Sequence, residues 1–210
     1  MSDAPVLILG GTFDPIHFGH LRPALEAMAA IDYPQLRLVP AARPPHRETP
    51  LASAEQRLAM ARLAAESDQR IEVDDREFHR PGPSWTIDTL QSFREEWPQR
   101  PLALLIGEDS LHQFNTWKRW RDIPQLAHIV AMHRPGKDRE IPEWAKARAT
   151  SDREELKKQL AGRFFFAEVS PNPVSATTLR ARLKNGEDIS GMTPDSVIKY
   201  IQQHKLYQNS

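Results

Sequence analysis

The 210-residue chain contains no cysteine. That excludes a disulfide framework, thiolate catalysis and cysteine-based zinc sites, and it fits a reducing, cytoplasmic setting. There is no net charge either, because 28 Lys and Arg balance 28 Asp and Glu. Whole-chain attraction to nucleic acid or to an anionic membrane therefore has no basis, and neither is an expected partner. No apolar run approaches the roughly 20 residues that span a bilayer. Ser2-Asp3-Ala4-Pro5 shows neither the basic region nor the apolar core of a secretory signal, so a cytoplasmic protein is expected. Repeats, low-complexity tracts and linkers are also missing, and the expectation is a single domain over residues 1–210. Two common nucleotide motifs are absent: no G-x-G-x-x-G follows the first strand, and no G-x-x-x-x-G-K-[ST] occurs.

What is present alternates. Apolar runs at 6–9, 36–40, 71–74, 102–106, 128–132 and 164–168 read as strands. Helical patterns separate them, at 18–30, 54–66, 86–97, 110–114, 123–126 and 154–160. Ser53 with Gln56, and Ser151 with Glu154, fit capping boxes. Ser175 reads as a further N-cap, and Thr193-Pro194 as a cap and first-turn proline for a helix running to about 203. Short strands without strict alternation, separated by helices, predict an α/β fold with a mostly parallel sheet covered on both faces. Right-handed crossovers make such a sheet doubly wound, with ligands at the carboxyl ends of its strands.

The segment Gly10-Gly11-Thr12-Phe13-Asp14-Pro15-Ile16-His17-Phe18-Gly19-His20 lies between the first strand and the first helix. The glycines allow close backbone approach to a ligand, and a helix N-terminus favours anions. His17 and His20, three apart, share a helix face and can donate to phosphate oxygens. A metal reading is open as well, since Asp14, His17 and His20 could supply three ligands. Near the other end, Ser175, Thr177 and Thr178 place hydroxyls on a second helix start, with Arg180 one turn in. That group could cradle phosphate, although Ser/Thr caps are common everywhere. Basic clusters at 43–47, 134–137 and 180–184 suit a small polyanion better than a polymer.

In order and spacing, these elements resemble bacterial nicotinate-nucleotide adenylyltransferases, of the nucleotidyltransferase α/β-phosphodiesterase superfamily. His17-Phe18-Gly19-His20 matches the H-x-G-H element, and Ser175 through Arg180 the late S-x-T-x-x-R-like element. Further matches are Gly-Gly-Thr-Phe-Asp-Pro-Ile-His at 10–17, Pro-Pro-His-Arg at 44–47, Ser-Trp-Thr-Ile-Asp-Thr-Leu at 84–90 and Ile-Gly-Glu-Asp-Ser-Leu at 106–111. Trp117, His133-Arg134-Pro135-Gly136 and the closing Tyr200-Ile201 and Leu206-Tyr207 complete the set.

The resemblance implies a doubly wound, mostly parallel Rossmann-like sheet with helices on both faces, plus C-terminal helices. It implies transfer of the adenylyl group of ATP to nicotinate mononucleotide, giving deamido-NAD and pyrophosphate. His17, His20 and Arg180 are then the catalytic groups on the triphosphate. Gly10, Gly11, Thr12 and Phe13 floor the ATP site, with Gly107, Asp109, Ser175 and Thr177 contributing. Trp85 and Thr86 recognise the nicotinate end, with Thr86 and neighbouring N–H groups receiving its carboxylate, and Trp117 stacks on the pyridine ring. His46 and Arg47 hold the mononucleotide's phosphate, and Arg134 serves that end or the ATP. Mg²⁺ arrives on the ATP phosphates, with no protein metal site. Two departures stand out: Ala176 occupies a frequent Ser position, and Ala41-Ala42 stands where many relatives carry Asn. The alternatives on this scaffold are transfer to the amide mononucleotide or to phosphopantetheine, or a non-catalytic nucleotide-binding regulator. A monomer and a small homo-oligomer are both compatible with the sequence.

Overall fold

Leu102-Ala103-Leu104-Leu105-Ile106 is buried along its whole length, as a strand inside a parallel sheet must be when helices cover both faces. The computed structural model describes residues 4–45, 49–133, 135–136 and 140–208. Its strands are β1 (Val6–Gly11), β2 (Gln35–Pro40), β3 (Ile71–Val73), β4 (Leu102–Ile106), β5 (His128–His133) and β6 (Phe164–Glu168). Its helices are α1 (Phe18–Ala30), α2 (Ala54–Ala65), α3 (Thr86–Glu96), α4 (Glu108–His112), α5 (Ile123–Leu126), α6 (Glu143–Lys146), α7 (Arg153–Lys158), α8 (Ala176–Lys184) and α9 (Asp195–Gln203). The strands form one six-stranded, all-parallel sheet in the order β3-β2-β1-β4-β5-β6, with helices on both sides. Val6 lies opposite Leu102, Ala103 opposite His128, and Ile129 opposite Phe164. The doubly wound expectation is borne out. Sheets of this order bind ligands beyond the carboxyl ends of their strands, and the end of β1 is where Gly10–His20 begins.

Local readings failed in four places. Gly10 and Gly11 belong to β1, which runs two residues past the expected end at 9, and Ala41 N–H donates to the Gly11 carbonyl at 2.8 Å. Asp152, not Ser151, caps α7, accepting from the Glu154 N–H at 2.9 Å. Thr193 does not cap α9; its buried hydroxyl donates to the Ile16 carbonyl at 2.8 Å, and Pro194 takes the cap position. The helix expected at 110–114 starts two residues earlier, capped by Gly107, and gives way to a 3₁₀ turn at Phe114–Thr116.

The chain divides into two compact units. The first holds residues up to Leu9, Ala24–Arg37 and Trp85–Pro171. Its core includes the fully buried Phe93, Phe114 and Phe164. Phe114 stacks on Trp144 with ring centres 4.6 Å apart and lies 5.3 Å from Trp117. The second unit holds Gly10–Pro23, Leu38–Ser84 and the chain from Asn172 onward. There α2 packs on α9. Val197 and Ile201 are fully buried on α9, as are Met60, Ala61 and Ala64 on α2. The capping box forms as expected: Ser53 N–H donates to Gln56 Oε1 at 2.9 Å and Gln56 N–H to Ser53 Oγ at 3.2 Å. Among the described residues no helix is long and apolar enough to cross a membrane.

Candidate active site

The second unit contains both of the motifs at 10–20 and 175–180. At the end of β1 the Phe13 ring folds back over Gly11, where a Cβ would lie 2.6 Å from it. Only glycine leaves that room. Phe13 itself adopts a left-handed backbone (φ 51°) and is buried, a strained conformation that persists only where its surroundings fix it. Its ring meets the His20 ring edge-on, with centres 5.1 Å apart. The rings of His17 and His20 stack, centres 3.7 Å apart and planes within 26°. His17 starts α1, its carbonyl accepting from the N–H groups of His20 at 2.9 Å and Leu21 at 3.2 Å. Its ring is 4 % exposed, and Nδ1 has no hydrogen-bond partner.

Gly19 brings the late motif to this turn. A Cβ there would run into the backbone carbonyl of Val174 and lie 2.9 Å from the His17 ring. Asn172 Nδ2 donates to the Phe18 carbonyl at 3.4 Å and Asn172 Oδ1 accepts from Val174 N–H at 3.1 Å, so residues 172–174 are docked on the start of α1. Ser175 then caps α8 as expected, Oγ accepting from Thr178 N–H at 3.1 Å. One turn later Arg180 donates from a guanidinium nitrogen to the backbone carbonyl of Asp14 at 2.7 Å. Thr177 is exposed at the helix start.

Asp14 is not poised as a metal ligand. Its Oδ2 accepts from Leu51 N–H at 2.9 Å, and its Oδ1 from Ala52 N–H at 3.1 Å and from the Tyr207 hydroxyl at 2.7 Å. A buried carboxylate with three donors is satisfied in place. Among the described residues no group of three His, Asp or Glu could hold a metal. Beside it, fully buried Arg57 donates to the carbonyls of Thr12 at 2.7 Å, Ala41 at 2.6 Å and Ala42 at 3.3 Å. The alanine pair therefore contributes backbone carbonyls to the network, held by an arginine from α2.

Burial, and secondarily the charge of Arg180, holds the His17 pKa down at about 4. His17 is thus neutral at pH 7, and the positive charge here comes from Arg180. The unfolded imidazole titrates near 6.5, so between pH 6.5 and 4 the unfolded chain binds a proton that the folded chain refuses. The resulting stability is present above pH 6.5 and lost as pH falls through that window, a difference of about 3 kcal/mol. Denaturant titrations at pH 7 and pH 4.5 are expected to show a larger loss in wild type than in His17→Asn. Equal losses would show that His17 is not buried in its neutral form.

The first unit carries the other expected residues. Trp85 stands at the N-cap position of α3 with no side-chain cap bond, and Thr86 opens the helix. Lys118 Nζ sits 5.4 Å over the Trp85 ring and 3.1 Å from Asp88 Oδ2. Trp117 is half-buried against Phe114. Gly107 caps α4, and Asp109 is exposed in its first turn rather than capping it. His46, Arg47 and Arg134 lie outside the described residues. Two residues with clear contacts were not singled out from sequence, Arg57 and Lys118, and Tyr207 was matched only as part of the family's closing pattern, with no role. Only Arg57 left a signal, a charged residue in helical register with the buried Ala61 and Ala64.

A family model described as cytidylyltransferase-like matches residues 8–182, running through both units. A relative from Aeromonas salmonicida, named "Probable nicotinate-nucleotide adenylyltransferase", is 46% identical over 99% of each chain. One of the same name from Pseudomonas aeruginosa is 44% identical over 96% of each. Among solved structures, the Plasmodium falciparum nicotinic acid mononucleotide adenylyltransferase complexed with NaAD shares the fold, with a TM-score of 0.74 at 16% identity, covering 99% of this chain and 98% of that one. A helix start carrying stacked imidazoles, joined through a glycine contact to a second helix start and its arginine, is thus set in a sequence alike from end to end: the chain belongs to the cytidylyltransferase-like family, among the nicotinate-nucleotide adenylyltransferases.

Proposed function

We propose that the chain transfers the adenylyl group of ATP to nicotinate mononucleotide, forming deamido-NAD and pyrophosphate. The observation that carries the chemistry is the joined pair of helix starts, with His17 and His20 on one and Arg180 on the other, anchored on Asp14. The acceptor oxygen belongs to a phosphate that is already ionised, so no side chain must be activated as nucleophile or base. That oxygen attacks the α-phosphorus. A new P–O bond forms, the bond to the bridging oxygen breaks, and pyrophosphate leaves with the electron pair. The protein's part is to align two polyanions and to stabilise charge on the phosphates.

In this reading His20 and the neutral His17 donate hydrogen bonds to the triphosphate, and Arg180 supplies charge. Gly10, Gly11, Thr12 and Phe13 line the approach, Ser175 and Thr177 offer hydroxyls, and Gly107 and Asp109 serve the nucleotide. Trp85, Thr86 and Trp117 recognise the nicotinate ring and carboxylate, with His46, Arg47 and Arg134 for its phosphate. Mg²⁺ would arrive with the ATP phosphates and would neutralise part of their charge, with no carboxylate of this chain needed to hold it. This fits Asp14, whose carboxylate is already occupied by three protein donors, and a hard ion that keeps much of its water. The enzyme works in the cytoplasm on these two small nucleotides.

The test is pyrophosphate release from ATP and Mg²⁺ with nicotinate mononucleotide, its amide and phosphopantetheine as separate acceptors. Release is expected to be fastest with the acid. A faster reaction with either other acceptor would reassign the substrate, and no release with any of them would favour a regulator.

A further inference from the structure

We propose that Tyr207, in the final turn of the chain, is a positioning residue for the ATP phosphates, acting on Arg180 through Asp14. The inference rests on the functional reading above only for the identity of the nucleotide that Arg180 meets. After α9 the chain reverses. Leu206 N–H donates back to the Ile201 carbonyl at 3.0 Å, and Lys205 and Tyr207 take left-handed backbones with φ of 50° and 63°. Two side-chain-bearing residues in that conformation within three positions are an uphill arrangement, which persists where tertiary contacts fix it. The outcome is a tyrosine only 4 % exposed, its hydroxyl 2.7 Å from Asp14 Oδ1.

A merely space-filling role would need the ring and not the hydroxyl. The hydroxyl is placed on the residue whose backbone carbonyl accepts from Arg180 at 2.7 Å. Asp14 is thereby a junction. Its carboxylate is tied to the 51–52 backbone and to the C-terminal turn, and its carbonyl sets where the guanidinium sits. Arg57, which holds the Thr12 and Ala41 carbonyls, fastens the same segment from the other side. Loss of the Tyr207 hydroxyl leaves Oδ1 with one donor in a buried place, and the cost of an under-satisfied carboxylate falls on the Asp14 backbone. Arg180, a long side chain with several rotamers, keeps the Asp14 carbonyl as its acceptor, but that carbonyl is no longer fixed in place.

Tyr207→Phe keeps the ring and deletes the bond. Titration with a non-reacting α,β-methylene analogue of ATP is expected to show affinity weakened by about tenfold, the scale of one charge-linked hydrogen bond. The KM for nicotinate mononucleotide should stay within about twofold, because only the ATP side is disturbed. Made in an Arg180→Lys background, the same change should weaken the analogue by less than about twofold, since coupled residues are non-additive. Overturning results are unchanged analogue affinity in Tyr207→Phe, equal damage to both nucleotides, or full additivity with Arg180→Lys. The titration needs no acceptor, so it decides the role of Tyr207 even if the wild type failed to use nicotinate mononucleotide, a failure that would count against the functional reading alone.

Discussion

Alanine at position 20 is expected to lower kcat by about 10²–10³-fold, the cost of removing one preorganised donor from a site of developing charge. His20 is well placed for that effect. Its ring stacks on His17 at 3.7 Å and meets the Phe13 ring at 5.1 Å, so in the proposed role it would meet a phosphate without being reordered first. The fold should tolerate the change. His20 is half-buried, lies in the first turn of α1, and alanine is a better helix former. Steady-state rates with saturating ATP and nicotinate mononucleotide, beside a thermal melt, separate the two effects. A variant with a wild-type melt and kcat within about threefold of wild type would remove His20 from the chemistry.

Gly19→Ala is expected to be nearly as damaging for a different reason. In an open helix, alanine for glycine gains about 1 kcal/mol. Here the added methyl would run into the Val174 carbonyl and approach the His17 ring to 2.9 Å. A backbone carbonyl cannot swing aside as a side-chain tip can, so residues 172–174 must move off α1 or His17 must leave its pocket. Either movement separates the Ser175–Arg180 turn from the two imidazoles. A loss of about 1–3 kcal/mol in stability is the usual scale for such overpacking, with kcat/KM reduced at least about 100-fold because misplaced catalytic groups are punished steeply. Denaturant unfolding and kcat/KM measure both. A variant as stable and active as wild type would mean that the two motifs are not held together through this contact.

The two motifs were legible in the sequence because their logic is local: glycines at a strand end, histidines three apart, a serine opening a helix. All six strands were legible too, since continuous apolar runs between helices have few other fates. Partners far along the chain were not. Tyr207 and Asp14 are 193 residues apart, and Arg57 and Thr12 are 45 apart. No pattern of residue types announces such pairings. Asp14 shows the consequence: it has the chemistry of a metal ligand, and its surroundings make it a junction. Thr193 is similar, a good cap in local terms whose hydroxyl went to Ile16 instead. Ser151 lost the cap to Asp152, an equally good capping type one residue on. Trp85, Thr86 and Trp117 were assigned to the nicotinate end through the family pattern, since locally they are a half-buried indole and a helix start with no side-chain cap bond.

Adenylyl transfer is tested most directly by following the α-phosphorus itself. ATP labelled at that atom is mixed with Mg²⁺, nicotinate mononucleotide and the wild-type protein, and the products are separated. The label should appear in deamido-NAD, with unlabelled pyrophosphate formed in equal amount. Label recovered only as AMP, or remaining in ATP while the acceptor is consumed, would contradict the transfer.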